Sequence, residues 1–195
     1  TFFAQSVTDH PTADLALIEV ADSLPGWHSV TSDLSHGDRL VFGGFGLTQD
    51  RRTRRGYRWS NERAEVWGEN DLSFTQRDFG VFDFDRRRRA ALPSEAIFTP
   101  GDSGSGVFIE GQDGALDLAG IAVGVTGRFG ESRFGNLGVF VTLEQTLEAF
   151  GLDLEPFDPG IVGPSPFALA DTPTPGTAAL LALSGAILPA RRRRP

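Results

Sequence analysis

The chain has 195 residues, room for one large or two small domains, and its 26 acidic residues against 18 basic ones give a net charge of −8. All 18 cations are arginine, and lysine, methionine and cysteine are absent. Disulfides, thiolate metal sites and a thiol nucleophile are therefore excluded, and net acidity argues against nucleic acid as the main partner, because phosphate binding needs a concentrated basic face.

From Thr1 to about Phe150, short apolar stretches are separated by Gly, Asp, Asn and Ser turns, the pattern of an all-β fold. The expected strands, in order, are 14–20, 39–44, 63–67, 78–84, 105–110, 116–125 and 137–141. In the stretch Phe79 to Asp85, Phe82 and Phe84 alternate with Asp83 and Asp85, which predicts a strand with one wet face rather than a metal site. Thr142 is placed to cap one short helix that carries Leu143, Leu147 and Phe150 on one face and stops at Gly151. Arginines at 51, 52, 54, 55 and 58, and again at 86–89, read as solvated loops or hairpin tips.

The composition then changes. Prolines at 156, 159, 164, 166, 173 and 175 mark an extended linker, and 176–190 is uncharged and mostly apolar before Arg191 to Arg194 and a last proline. The expected organisation is a folded domain over 1–152, a proline-rich linker over 153–172 and an apolar tail helix within 173–195.

The segment that carries chemistry is Gly101-Asp102-Ser103-Gly104-Ser105-Gly106-Val107-Phe108. A serine among glycines, directly before an apolar strand, suits an exposed nucleophile: a substrate carbonyl can approach the backbone, and successive N–H groups can meet a developing oxyanion. The alternative is a Gly/Ser-rich turn without chemistry. A nucleophile elbow of the G-x-S-x-G kind is excluded, because position 105 is serine.

In its context this segment resembles the trypsin-like serine peptidases of the chymotrypsin fold, whose nucleophile lies in a G-D-S-G motif. Further matches follow the family's order: His10-Pro11 before Asp14-Leu15-Ala16-Leu17-Ile18, Gly44-Phe45-Gly46 after Leu40-Val41-Phe42, Leu118-Ala119-Gly120-Ile121, and Gly138-Val139-Phe140-Val141. The resemblance covers about 140 residues and implies a double β-barrel, of which the end of the first barrel and the whole second barrel would be present. It implies that Ser103 is the nucleophile, that Asp14 is the buried carboxylate orienting a catalytic histidine, and that Gly101 and Ser103 donate the oxyanion N–H groups. It also implies a freed N-terminus as the partner of Asp102, and a substrate pocket formed by Ile97 and Val123. With Ile97 where trypsin has an aspartate, an apolar substrate side chain is expected. No metal or organic cofactor is implied.

The general base is missing from this pattern. In the family the histidine precedes the aspartate, whereas His28 and His36 follow Asp14, and His10 lies too close to Asp14 to arrive from a separate loop and reads as a surface residue. An order of Asp14, His36 and Ser103 would mimic subtilisin, but that fold needs alternating strands and helices. The expectation is that the catalytic histidine lies upstream of Thr1, consistent with the missing initiator methionine, and that this chain alone is inactive.

The tail, Pro173-Thr174-Pro175 followed by an apolar run and four arginines, resembles a bacterial PEP-CTERM-type sorting signal, with Pro173-Thr174-Pro175 departing from the usual Pro-Glu-Pro. The 15 apolar residues of 176–190 fall short of the roughly 20 needed to cross a bilayer, and the flanking arginines suit a cytoplasmic side. The resemblance implies export, membrane contact through 176–190, an exosortase-like processing partner and placement in the cell envelope. Setting the tail aside leaves 14 arginines against 26 acids, or −12, for 1–190. The leading expectation is thus a serine endopeptidase acting on protein or peptide substrates; the other is a non-catalytic, peptidase-like surface binding protein.

Overall fold

The computed structural model describes residues 2–151 apart from 23, 25, 27, 87–90, 112, 113, 144–146 and 148. The linker over 153–172, the tail over 173–195 with its proposed membrane contact, and most of the second arginine run lie outside the described residues. So does most of the expected C-terminal helix. Within it, an N–H to carbonyl bond of 3.1 Å joins Leu147 to Leu143, and both side chains are buried.

The protein is all-β, with twelve strands in three antiparallel sheets among the described residues. Strands β1 (Ala4–Asp9) and β2 (Ala16–Val20) form a hairpin. The main sheet is a curled half-barrel of seven strands in the order β6-β3-β9-β10-β12-β8-β7. Its members are β3 (Arg39–Gly44), β6 (Val66–Asp71), β7 (Phe74–Gln76), β8 (Phe79–Asp83), β9 (Gly106–Glu110), β10 (Leu116–Val125) and β12 (Leu137–Thr142). The third sheet joins β4 (Leu47–Thr53), β5 (Gly56–Arg63) and β11 (Glu131–Arg133) in the order β11-β5-β4.

The expected strand over 63–67 is corrected: Arg63 ends β5 and Val66 begins β6, so that stretch spans the turn between two strands belonging to different sheets. The first arginine cluster does lie on a hairpin, with Arg54 and Arg55 at the β4–β5 tip. Arg51 there sits directly opposite Arg58, a pairing that like charges disfavour, but Arg58 is also flanked by Glu131 on β11.

Alternation decides which faces are buried. On β3, Leu40 and Phe42 point inward, and on β8 and just beyond it Phe82 and Phe84 do, while Asp83 and Asp85 stay half-exposed. Phe42, Phe82 and Phe98 form a three-ring cluster with centroids 4.8–5.2 Å apart, the center of a core that includes Leu72, Val107 and Phe140. A bulge between Leu118 and Gly120 lets β10 present Leu118 and Ile121 to a second cluster with Leu15, Leu143 and Leu147, while Ala122 faces the first. The central strand β10 is therefore covered on both faces, and Phe98 fixes the chain immediately before the Ser103 segment.

Candidate active site around Ser103

Two consecutive tight turns build the segment, and its sequence dictates both. In Thr99-Pro100-Gly101-Asp102 the Asp102 N–H donates to the Thr99 carbonyl at 3.0 Å, and Gly101 has φ +107°. In Asp102-Ser103-Gly104-Ser105 the Ser105 N–H donates to the Asp102 carbonyl at 3.0 Å, and Gly104 has φ +89°. Glycine at the third position, and proline at the second position of the first turn, is the pattern of a type II turn, whose third residue needs positive φ. The turns share Asp102 and leave Ser103 at the outer corner of the second. Bonds of 2.8 Å from the Gly104 N–H to the Ala122 carbonyl, and from the Ala122 N–H to the Ser105 carbonyl, tie the segment to β10.

Asp102 is the anchor. It is only 8% exposed, and a buried carboxylate must be fully hydrogen-bonded. Its Oδ1 accepts the Gly46 N–H at 2.6 Å, and its Oδ2 accepts the Thr99 N–H at 2.7 Å. The Thr99 hydroxyl, with one proton to give, lies 2.9 Å from Oδ2 and 3.0 Å from the Leu47 carbonyl. These groups are the partners of Asp102 among the described residues. They also explain Gly44-Phe45-Gly46, since a Cβ at either glycine would overlap the Asp102 carboxylate.

Ser103 is exposed, and its Oγ–H donates to the Val123 carbonyl at 3.1 Å. It lies in an open hollow of about 410 Å³, floored by glycines and walled by Phe45, Trp67 and Phe108, with Glu65 at its side. Of the N–H groups from Gly101 to Ser105, those of Asp102, Gly104 and Ser105 are bonded, whereas those of Gly101 and Ser103 have no acceptor among the described residues. Backbone N–H groups are seldom left unpaired unless water or a ligand meets them, and these are the two expected to bind an oxyanion.

The remaining expected site residues fall elsewhere. Asp14 is exposed, two positions before the start of β2, and does not line the hollow. Ile97 belongs to the main core and lines a neighboring cavity of about 310 Å³ rather than the Ser103 hollow. Val123 reaches Ser103 through its carbonyl oxygen, not its side chain. Gly101, Ser103 and Val123 are thus brought together, and Asp14 and Ile97 are not.

No histidine lines the hollow. His10 is not the surface residue expected: its Nδ1 accepts the N–H groups of Thr12 and Ala13, its ring meets Phe150 edge-on at 5.4 Å, and its Nε2 is buried without a partner among the described residues. His28 donates from Nδ1 to the Leu116 carbonyl at 2.8 Å with its ring against Phe108. His36 donates from Nδ1 to the Ser73 carbonyl at 2.7 Å.

The neighboring cavity runs behind Asp102 and is lined by Tyr57, Trp59 and Trp67 together with Asp85 and Glu95. Burial raises the pKa of Glu95, although the N–H groups of Asp85 and Leu92 and the Asn70 amide bond to its carboxylate. Burial, then the nearby Asp83, raises that of Asp85. Among the described residues no group of three or more acids or histidines is arranged to hold a metal, and no helix is long and apolar enough to cross a membrane.

Two further residues contribute to the site. Thr99, whose sequence signal is that it opens a Thr-Pro-Gly-Asp turn, bonds to Asp102. Arg63 had no local signal, because its role comes from a different sheet: its guanidinium lies over Gly101, with Nη1 2.7 Å from where a Cβ on that glycine would stand. Neither a family model nor a curated protein matches this sequence.

Proposed function

We propose that the chain is part of a trypsin-like serine endopeptidase of the chymotrypsin-type double-barrel class, with Ser103 as nucleophile. The observation that carries this reading is the pair of unbonded N–H groups of Gly101 and Ser103 beside an exposed serine hydroxyl, in a loop locked by a buried aspartate. In the reaction, Ser103 Oγ leaves Val123, gives its proton to a base and bonds to the substrate carbonyl carbon. The carbonyl oxygen becomes an oxyanion held by the two N–H groups. Collapse breaks the C–N bond, the amine leaves with the proton, and water hydrolyses the acyl-serine by the same route. The base is none of His10, His28 and His36 in their present bonds, so this chain by itself is expected to show no turnover. The sorting-signal resemblance adds export and processing at the cell envelope to the proposal.

A second reading, a peptide-binding surface protein on a peptidase scaffold, is favored by the exposure of Asp14 and the absence of a histidine around the hollow. Fluorophosphonate labeling of the full natural gene product, with the adduct mapped by mass spectrometry, decides between the two. An adduct at Ser103 that disappears in Ser103→Ala supports the peptidase. A folded protein that takes no label overturns it in favor of the binding scaffold.

A further inference from the structure

Beside the Ser103 hollow, against Gly101, lies a positive charge that the peptidase reading does not use. Arg63 is the last residue of β5, in the three-stranded sheet, and its guanidinium reaches across to lie against Gly101 in the loop of the seven-stranded sheet. The three atoms nearest a Cβ on Gly101 are Nη1, Cζ and Nη2 of Arg63, at 2.7–3.3 Å, so the guanidinium packs directly on this glycine. Arg63 is exposed and forms no ion pair among the described residues, although Glu65 lines the same hollow two positions later. A planar fork of donors thus lies against Gly101, which with Ser103 lines a cavity whose other walls are Phe45, Trp67 and Phe108 and whose Gly101 and Ser103 N–H groups are unbonded among the described residues.

We infer that Arg63 is the anion-docking residue of this hollow and that the site selects peptides carrying a carboxylate close to the group presented to Ser103. A guanidinium pairs with a carboxylate through two parallel N–H···O bonds, and such charge-assisted bonds are stronger than neutral ones. The aromatic walls take the apolar part of the same ligand. In a chain of net charge −8, an exposed arginine against a residue that lines the cavity also concentrates the attraction for anions at one place. The inference rests on the Ser103 hollow being the binding site proposed above, but not on turnover there.

Trp67 lines the hollow at 59% exposure and supplies the signal. The full 195-residue chain is titrated at low salt with N-acetyl-phenylalanine as the free acid and as its amide, and with N-acetyl-glutamate amide, following tryptophan fluorescence. The first acid offers a terminal carboxylate and the third compound a side-chain carboxylate, so the better ligand identifies the source of the anion. Binding of at least one carboxylate compound is expected to be about tenfold tighter than that of phenylalanine amide and to weaken with salt. Arg63→Gln removes the difference and Arg63→Lys keeps part of it, with the thermal midpoint of both variants confirming the fold. Equal binding of acid and amide, no binding of any probe, or a preference that survives in Arg63→Gln overturns the inference. Carboxylate binding through Arg63 in a protein that fluorophosphonate does not label would defeat the peptidase reading alone, and labeling without any effect of Arg63 would defeat this one alone.

Discussion

The backbone N–H of Gly46 donates to Oδ1 of Asp102 at 2.6 Å, across 56 positions of sequence. This bond joins the end of β3 to the Ser103 loop, and it needs glycine because any side chain at 46 would enter the space of Asp102 and Thr99. Gly46→Ala is expected to destabilise the protein by about 1–3 kcal/mol through overpacking. Asp102→Asn leaves at least one buried N–H facing an amide NH2 and costs about 1–3 kcal/mol. Because both changes strike one contact, the double variant loses less than the sum. Urea unfolding of the three variants measures this, and additive losses would contradict a shared contact.

Gly101 adopts φ +107° at the third position of its turn, a conformation that costs other residues about 1–3 kcal/mol. Gly101→Ala should lower stability by that amount and displace the N–H proposed to bind the oxyanion. Gly124 on β10 is the control: nothing lies within 4 Å of its Cβ position and its φ is not in the left-handed region. Gly124→Ala is expected to change the unfolding midpoint little.

Ser103→Ala separates chemistry from folding. The side chain is exposed and makes one hydrogen bond, to the Val123 carbonyl, so its loss should cost no more than about 1 kcal/mol. Fluorophosphonate labeling of the full gene product should nevertheless vanish. A large drop in stability would give Ser103 a structural role that its exposure does not suggest.

Glu95 makes stability depend on pH in the less usual direction. Burial holds its carboxyl above the ordinary value of 4.5, so the folded state binds this proton more readily than the unfolded chain does. Its burdening of the fold is full above the raised pKa and is relieved as pH falls from there toward 4.5. Asp85, raised by burial and by Asp83, acts with the same sign. Glu95→Gln should flatten that part of the profile. It should also cost about 1–3 kcal/mol overall, because the N–H groups of Asp85 and Leu92 bond to different Glu95 oxygens and an amide accepts at only one. Thermal melts between pH 4 and 8 (roughly the range spanned by ordinary carboxyl and imidazole groups) check both effects.

Where hydrophobic alternation met burial, the strands were legible in the sequence. Strands β3 and β10 begin and end at the expected residues, and the Phe82 and Phe84 face is inward as expected. Strands β4 and β5 were missed because the pairing that defines them is between largely exposed, arginine-rich segments with no apolar period to read. The hairpin strand β1 is exposed along all six residues, and β7 and β11 have three residues each, too few for a pattern. The Ser103 loop was legible because Thr-Pro-Gly-Asp and Asp-Ser-Gly-Ser state their own turns. The contacts of that loop were not: Gly46 and Val123 were named for other roles, and their bonds to Asp102 and Ser103, like the approach of Arg63, come from strand order rather than local sequence.

The bonding of Asp102 has a consequence for how the site comes to exist. Its carboxylate is satisfied by Gly46 and Thr99, so the neighboring turns are held in shape by a contact that spans 56 positions of sequence. The Gly101 and Ser103 N–H groups are thus held in position by bonds made among the described residues themselves.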